Sequence, residues 1–468
     1  CLVGVERKPD VFANFGDRYF LTMETIIPVE ATLDLEGVPV RVKNINFDGL
    51  GRTKGDFVAE AVKEIFLAKN FGDLLQKVGN AQDKLSRLET FREVSAVVDV
   101  HNISEIEDYK IGDDYDVTFI VKEFSRLAAS AKTQMGAQAD AQVKTGIRMP
   151  NVFGRGEKLE VEYSYSSGSE KNSEISFLKP FPQYLDSSFK TSVFQTRSPN
   201  VHAKYMNKAI GSIMSFSCST FLQLLTLHHK VEWEATWREI VPENTLTPYS
   251  IRLECGHAIK SALRHTVTLD SRDRQVFPSK GTYINFLQEL AGIGGDAKYH
   301  KLDFDLQYNY PLPLNMVFQT SFRVGKLTPF GTSEKSCGIA DRFFMGGPYS
   351  LRGFCMRGLK IGQDGLSLGG LEHWSAAAHL YTPLPSVNRK FPIIDSCRLH
   401  FFVNAGNLAD KFLAGNIFKD IRIAYGAGLA VGMGDFARLE LNYCLPIRQL
   451  VGDKPVKGFQ VGVGIHFL

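Results

Sequence analysis

The sequence predicts a mainly β protein, a transmembrane antiparallel β-barrel of about sixteen strands preceded by one small α+β domain. Two observations support this prediction. Helical spacing of apolar residues is confined to residues 56–92, and alternation of apolar with polar residues dominates from about residue 130 onward. The composition agrees, because 41 glycines and 34 phenylalanines among 468 residues are typical of turn-rich, aromatic-rich β structure.

The region before the barrel divides into two parts. Residues 1–37 show no clear period and are predicted to form an N-terminal arm. Residues 38–125 contain the patterns of strand 40–47, helices 56–69 and 71–92, and strands 94–100 and 117–121. The order β-α-α-β-β predicts one small α+β domain, although the pattern alone does not tell which family of α+β domains it belongs to.

The remaining region, residues 126–468, is predicted to form the barrel. The alternation is clearest in residues 159–166, 231–238, 304–310, 438–443 and 459–467. A soluble sandwich with an apolar interior and a membrane barrel with an apolar exterior both produce this pattern. Three features favour the barrel: a length of about 340 residues without a second core, tyrosine and tryptophan near the ends of apolar faces, and room for an even number of strands.

The longest uncharged run, residues 209–227, is long enough to raise the question of a transmembrane helix. Within it, serine alternates with larger residues between Met214 and Ser219, which is the period of a strand. The run therefore predicts another strand of the barrel. A membrane protein without a spanning helix is still possible, because a closed barrel also satisfies its backbone groups in lipid.

The chain carries no recognisable catalytic or metal-binding constellation. A formal net charge of +3 is too small to indicate a nucleic-acid partner, and the seven cysteines include no CxxC pair. His228 and His229 lie near Glu232 and Glu234, but Lys230 on the same strand face would repel a cation. The sequence therefore predicts no enzyme activity, no cofactor and no bound metal.

The strongest motif lies in a loop between two predicted strands. A turn needs glycine and proline, but it does not need an arginine followed by glycine and an aromatic residue. From Phe343 to Phe354, this loop resembles the signature loop of the bacterial-surface-antigen superfamily of outer-membrane assembly factors. It is most similar to the mitochondrial branch, the barrel subunits of the sorting and assembly machinery. The loop residues in question are Gly346, Gly347, Leu351, Arg352, Gly353 and Phe354.

Two further groups of residues resemble motifs of that superfamily. The first is a strand motif with the turn that follows it, formed by Asp270, Arg272, Asp273, Pro278 and Gly281. The second is the wall that receives the signature loop inside the barrel, formed by His379, Phe402, Asn404 and Gly406. Bacterial relatives carry carboxylates at the positions of His379 and Asn404. The resemblance therefore implies a neutral receiving wall in this chain, on which Arg352 is held weakly.

The two end strands of the barrel are predicted to form a seam. The first strand is expected at about residues 132–148, where Ala, Gly and Gln suit weak pairing, and the last at residues 459–467. The last strand resembles the sorting signal of mitochondrial barrels, polar-x-Gly-x-x-hydrophobic-x-hydrophobic, although any alternating strand with one glycine fits that spacing. The residues that match the signal are Gln460, Gly462, Ile465 and Phe467.

The resemblance implies a core component of the mitochondrial outer-membrane machinery, which folds and inserts β-barrel precursors through a lateral gate between the first and last strands. It identifies residues 38–125 as a polypeptide-transport-associated (POTRA) domain that faces the intermembrane space. The implied partners are β-barrel precursor proteins, accessory metaxin-like subunits of the sorting and assembly machinery, inner-membrane organising proteins and membrane lipid. A passive solute channel and a protein-translocating pore need the same barrel and remain alternatives.

Overall fold

The structure, a computed structural model, contains one small sheet and one large sheet. It describes residues 38–468 except 102–113, 136–140, 183, 185, 201–203, 223–224, 245–246, 332–335, 361–364, 385–395, 413–419, 435–436 and 465–467. The predicted N-terminal arm, residues 1–37, therefore lies outside the described residues, as do Ile465 and Phe467.

The small sheet packs against two helices. Its elements are β1 Arg41–Asp48, α1 Gly55–Val62, a 3-10 helix Lys63–Leu67, α2 Phe71–Arg87, β2 Phe91–Val100 and β3 Asp114–Glu123. Strand β3 lies in the centre, parallel to β1 and antiparallel to β2. The predicted order β-α-α-β-β is confirmed, and the core between sheet and helices includes Ile65, Leu74, Leu85, Val117 and Phe119, all fully buried.

Both helices are shorter than the sequence predicts. After α1, the chain tightens into the 3-10 turn, which buries Ile65, and then becomes extended at Ala68. Helix α2 begins at Phe71 and is capped by Asn70, whose side-chain oxygen accepts a hydrogen bond from the Asp73 N–H at 2.7 Å. It ends at Arg87 rather than at residue 92, because strand β2 already begins at Phe91.

The large sheet has sixteen strands, each antiparallel to its neighbours in the sequence. They are β4 Ala128–Met135, β5 Ala141–Pro150, β6 Lys158–Ser166, β7 Lys171–Phe181, β8 Ser187–Asn200, β9 Tyr205–Leu222, β10 Leu225–Pro242, β11 Gly256–Asp270, β12 Gly281–Ala291, β13 Tyr299–Leu312, β14 Met316–Pro329, β15 Glu372–Pro383, β16 Cys397–Ala409, β17 Arg422–Met433, β18 Ala437–Arg448 and β19 Gly458–Gly464. Within the described part of the chain, β4 and β19 are the two end strands. A short helix, α3 Tyr249–Leu253, lies between β10 and β11.

One predicted strand is wrong. Residues 132–148 form parts of two strands, because β4 and β5 pair as a hairpin in which Ala128 lies opposite Arg148 and Met135 opposite Ala141. The prediction rested on the Ala, Gly and Gln composition of this segment, and composition does not indicate where one strand ends and the next begins. The uncharged run at residues 209–227 does form strand structure, as predicted, in β9 and the start of β10.

The apolar face of the large sheet is the exposed one. Val231, Trp233 and Trp237 on β10 are 38–40% exposed, whereas Arg238 on the opposite face is 7% exposed. Buried charged residues such as Glu289 and Glu440 lie on that opposite, inner face. A soluble sandwich would have the reverse arrangement, so this observation favours a sheet that faces lipid. In the described residues, no helix has the length and apolarity needed to cross a membrane.

The small sheet contacts one end of the large sheet, here called the domain end, where β3 leads into β4. The Lys54 N–H donates to the Gly154 carbonyl at 2.8 Å, and the Asn151 Nδ2 donates to the Thr53 hydroxyl at 2.7 Å. The Glu123 carboxylate also accepts hydrogen bonds from the backbone N–H groups of Arg52 and Thr53. The first two contacts join the loop after β1 to the turn between β5 and β6, and the Glu123 contacts hold the same loop to the end of β3.

Candidate functional site

The candidate site is the signature loop, which follows β14 and folds back onto the inner face of the large sheet. Leu351, Arg352 and Phe354 are all fully buried. Two glycines make the fold-back possible. Gly346 has a φ of 115°, and a Cβ there would lie 2.4 Å from the Cys355 carbonyl oxygen. Gly353 has a φ of 87°, and its Cβ would lie 2.7 Å from Ala424. Larger residues at these positions would therefore push the loop away from the sheet.

The centre of the site is an ion pair between Arg352 and Glu440 on β18. The Arg352 Nη2 and Nε atoms lie 2.8 Å and 3.2 Å from Glu440 Oε2. The Nη1 atom donates to the main-chain oxygen of Leu468 at 3.1 Å. The guanidinium also lies over the Phe402 ring, 5.3 Å from its centroid, a cation–π contact. The planar, permanently charged guanidinium thus meets a carboxylate, a carbonyl and an aromatic face at once.

The expectation of a neutral receiving wall is therefore wrong. The carboxylate comes from Glu440, two strands beyond Asn404 in the sheet. Glu440 lies 3.0 Å from Arg438 as well, so that its two oxygens face two arginines. Sequence reasoning missed Glu440 because it lies between Leu439 and Leu441 and has the same pattern as any polar inner-face residue of a strand. Only the register of the sheet places it beneath the loop.

Asn404 contacts the backbone of the loop rather than the guanidinium. With its amide oxygen facing Arg352, it accepts from the Arg352 backbone N–H at 2.8 Å and donates to the Ala424 carbonyl at 3.0 Å. Both amide groups are then satisfied. Asn404 thus holds the chain at the position where the arginine side chain leaves it, which differs from the expected acceptor role toward the guanidinium.

His379 is connected to the ion pair indirectly. Its Nδ1 lies 2.9 Å from His400 Nε2, and His400 Nδ1 lies 2.8 Å from the Asn442 side-chain oxygen. The Asn442 amide then donates to Glu440 Oε2 at 3.0 Å. Gly406, the remaining wall residue, lies beside Met345, since a Cβ there would be 3.2 Å from the Met345 sulfur. His379 therefore belongs to a buried polar chain that orients Glu440.

The loop also binds the last strand, β19. Gln460 accepts from the Gly353 N–H at 2.9 Å and donates to the Phe354 carbonyl at 2.8 Å. The Tyr349 hydroxyl donates to the Val463 carbonyl at 2.9 Å and accepts from the Val463 N–H at 3.0 Å. The Leu468 N–H donates to the Tyr349 carbonyl at 3.1 Å. Gln460, the polar residue of the predicted last-strand signal, is thus a ligand of the loop; Gly462 of that signal also lies in β19.

A second group of contacts holds the base of the loop. Asp341 receives both Nη atoms of Arg238, at 2.7 Å and 2.5 Å, and the Tyr299 hydroxyl at 3.0 Å. The adjacent Arg342 donates to Glu254 at 2.8 Å. The loop is therefore attached at two places, near β10 and β13 at its base and on β16 to β19 at its tip. Tyr349, Asp341 and Glu440 are the functional candidates that sequence reasoning did not select.

The predicted strand motif forms a separate structure at the domain end. Arg272 pairs with Asp270 at 2.7 Å and stacks over Tyr283, 4.5 Å from the ring centroid. Asp273 accepts from the N–H groups of Ser279 and Lys280, at 2.8 Å and 3.2 Å, which closes the turn. Within that turn, Pro278 is buried and Gly281 has a φ of 107°. The motif therefore shapes the turn between β11 and β12.

The site consists of hydrogen-bond donors, acceptors and ion pairs. Across the described residues, no group of three or more His, Cys, Asp or Glu side chains could hold a metal ion. This arrangement can bind and release the signature loop and the edge of strand β19. Its contacts are directional and buried, so they specify one position of the loop relative to β18 and β19.

Comparisons with known proteins agree with this architecture. The Omp85 superfamily domain matches residues 151–467. The chain is 37% identical to the Sorting and assembly machinery component 50 homolog of Bos taurus over 442 residues, which is 93% of this chain and 92% of that protein. It is also 37% identical to homolog B of Xenopus laevis over 465 residues, 97% of this chain and 96% of that protein.

Two solved structures have a similar fold. The crystal structure of BamA from Haemophilus ducreyi lacking POTRA domains 1–3 matches with a TM-score of 0.70 at 18% identity, covering 91% of this chain and 84% of that one. CdiB from Acinetobacter baumannii matches with a TM-score of 0.52 at 15% identity, covering 91% and 73%. The predicted fold class is confirmed: a mainly β protein with a sixteen-stranded antiparallel barrel and one small α+β unit before it.

Proposed function

Because this chain belongs to the Omp85 superfamily and is a homologue of sorting and assembly machinery component 50, we propose that it is a core component of the mitochondrial outer-membrane machinery that folds and inserts β-barrel precursors. The observation that carries the proposal is the attachment of the signature loop to β19, the end strand of the barrel sheet. A loop attached in this way can control whether the edge of β19 is free to pair with a strand of a precursor protein, here called a client.

The mechanism follows from the two end strands. An end strand that opens exposes unpaired N–H and C=O groups, and these are a template for another strand. A precursor strand can then add to the edge by β-augmentation, without any covalent step. The described side chains at the start of β4 are small, Ala128, Ala129, Ser130 and Ala131, so cross-strand packing contributes little to holding this edge closed. We assign the lateral gate to β4 and β19.

The domain organisation and location belong to the same proposal. Residues 1–37 form an arm, residues 38–125 a POTRA domain in the intermembrane space, and residues 126–468 the barrel in the mitochondrial outer membrane. Accessory metaxin-like subunits and inner-membrane organising proteins are the expected protein partners, and lipid surrounds the exposed apolar face. The contacts of the loop after β1 with the turn between β5 and β6 support a soluble domain held next to the gate strands.

The test is site-directed crosslinking during client insertion. Cysteine at Ala129 or Ala131, on the exposed face of β4, should crosslink to cysteines along the last strand of a precursor. The matched control is cysteine at Ala235 on β10, which is hydrogen-bonded to neighbours on both sides and should give no crosslink. Equal crosslinking at both strands would reject the gate at β4.

The alternative of a passive solute channel makes a different prediction. A channel needs no contact between a client strand and β4, and its conductance would not change while a precursor is held. The loop that covers the inner faces of β16 to β19 disfavours this reading, because it fills part of the interior with buried side chains such as Leu351 and Phe354. Conductance that stays constant in the presence of a stalled precursor would favour the channel.

A further inference from the structure

Two arginines at the domain end of the barrel have no carboxylate partner among the residues that the structure describes. Arg274 lies in the turn between β11 and β12 and is exposed, and Arg398 lies near the start of β16. The Arg398 Nη1 atom is buried, and within the described parts of the chain it makes no hydrogen bond. In the same described residues, no carboxylate lies within ion-pair distance of either guanidinium.

Other arginines of the barrel strands and of the signature loop region have a different environment. Each of the following has a carboxylate within ion-pair distance: Arg238 with Asp341, Arg264 with Glu289, Arg323 with Asp305, Arg342 with Glu254, Arg352 with Glu440, and Arg422 with Asp453. A buried guanidinium donor without an acceptor is unfavourable, since the desolvation of that donor is not compensated. Arg398 therefore differs from these six by leaving a buried donor available.

The two arginines border a pair of adjoining cavities. The larger, of about 420 Å³, is lined by Arg274 and Arg398 together with Ser279 and the apolar side chains of Leu312, Met316 and Leu384. The smaller, of about 180 Å³, is lined by the same arginines with Phe277 and Ser396. Both are much larger than the roughly 30 Å³ that one water molecule occupies in the liquid. The space is therefore sufficient for a polyatomic ligand.

One wall of the smaller cavity is the side chain of Phe277, whose backbone conformation is rare. Phe277 has a φ of 53°, a left-handed conformation that bulky residues rarely adopt, and its side chain is buried. The Arg398 guanidinium lies 5.1 Å from the centre of its ring. The neighbouring Asp273 is occupied by the N–H groups of Ser279 and Lys280. The turn motif therefore fixes the aromatic support of Arg398 while its own carboxylate closes the turn.

The chemistry of this site fits an oxyanion. Two guanidinium groups provide planar forks of N–H donors that match the oxygens of a phosphate, and the Ser279 and Ser396 hydroxyls can add further donors. We propose that Arg274 and Arg398 form a binding site for a phosphate group, carried by a phospholipid headgroup or by a free phosphate anion. The apolar residues of the larger cavity would contact the acyl part of a lipid.

The test uses the full chain, purified in a non-ionic detergent, and isothermal titration calorimetry. The probes are inorganic phosphate, a soluble short-chain phosphatidic acid, and the matching diacylglycerol, which lacks the phosphate. We expect saturable binding of a phosphate-bearing probe and none of the diacylglycerol. R274Q and R398Q should each weaken that binding roughly ten- to hundredfold, the loss expected for a charged hydrogen bond. R398K should weaken it less than R398Q, because it keeps the charge.

The charge control is R252Q, which removes an exposed arginine of α3 that stacks on Tyr249 at the other end of the barrel. It should bind the probes as the wild type does. Comparable affinity for phosphate and phosphatidic acid would identify a free anion as the ligand, and much tighter binding of phosphatidic acid would identify a headgroup. Because Arg274 is exposed, R274Q should fold even if R398Q does not. Binding that is absent in the wild type, or equal in R274Q and the wild type, would overturn the proposal.

Discussion

Arg352 and Glu440, 88 residues apart in the chain, are both fully buried and lie 2.8 Å apart between Nη2 and Oε2. Removing one member of such a pair leaves the other as an uncompensated buried charge, which typically costs about 3–5 kcal/mol. The pair therefore anchors the tip of the signature loop. The same loop also binds β19. The ion pair therefore holds the loop in the position from which it contacts the proposed gate.

The first prediction concerns Glu440. E440Q should lower the thermal unfolding temperature of the barrel, because Arg352 and Arg438 both lose their carboxylate, at a cost of about 3–5 kcal/mol. The control is E174Q, which removes a partly exposed partner of Lys190 and should cost at most about 1 kcal/mol. Circular dichroism melts in detergent measure both. Equal decreases in the unfolding temperature of E440Q and E174Q would show that the ion pair does not stabilise the barrel.

The second prediction concerns the shape of the charge at residue 352. R352K keeps the positive charge but cannot contact Glu440, the Leu468 oxygen and the Phe402 ring together, because an ammonium lacks the planar fork. We expect client insertion in R352K to be slowed nearly as much as in R352A, measured at matched barrel abundance. Wild-type insertion rates in R352K would mean that only the charge matters.

The third prediction concerns the contact between the loop and the last strand. Y349F removes the hydroxyl that both donates to and accepts from Val463, so β19 should open more often. Losing a net hydrogen-bond contribution of about 1 kcal/mol should raise amide exchange in β19 roughly fivefold. Hydrogen exchange followed by mass spectrometry measures this effect. The control is Y308F, at an exposed position of β13. An equal rise of β19 amide exchange in Y308F would contradict the role assigned to Tyr349.

The fourth prediction concerns pH at the junction of the small domain and the barrel. Burial raises the pKa of Glu123, but hydrogen bonds from the Thr53 hydroxyl and from three backbone N–H groups outweigh it and lower the pKa to about 2. A depressed folded-state pKa contributes stability that is present above the unfolded value, near 4.5, and is lost as the pH falls toward 2. Protection of the loop after β1 should therefore decrease between these pH values.

Hydrogen exchange of residues 51–56, corrected for the intrinsic pH dependence of exchange, tests this prediction. E123Q is the matched variant, because an amide keeps an acceptor oxygen but does not titrate. Its loop should be less protected at neutral pH and should show little further loss on acidification. The same acid-induced loss in E123Q and the wild type would assign the effect to another group.

The fifth prediction concerns the core of the small domain. Leu85 is fully buried, and L85D would place an unpaired charge in that core, which a domain of this size cannot tolerate. Residues 38–125 should become sensitive to protease while the barrel stays resistant. L67D, at a position that is 69% exposed, should leave the protease pattern unchanged. A protease-resistant domain in L85D would contradict the assigned core.

The sequence by itself determined the strands and their faces. Alternation with a period of two is a local property, so it identified which side chains share a face of the sheet, and the helical period identified the small domain. The glycines of the signature loop were also recognisable, because a fold-back with positive φ needs them at Gly346 and Gly353. Local patterns were weaker at boundaries, as residues 132–148 show, since the composition that predicted one strand there does not mark where β4 ends and β5 begins.

Only the tertiary structure decided which residues meet. Glu440 reaches Arg352 because antiparallel registers across β16, β17 and β18 place it beneath a loop that begins after β14. Nothing near either residue in the chain encodes that meeting. The same holds for Gln460, whose pattern resembled a sorting signal and whose side chain binds the loop, and for Arg274 and Arg398, which line one cavity although the first lies in the turn after β11 and the second in β16. Side-chain periodicity specifies a face, whereas a contact across strands depends on register and closure, which arise from packing the whole sheet.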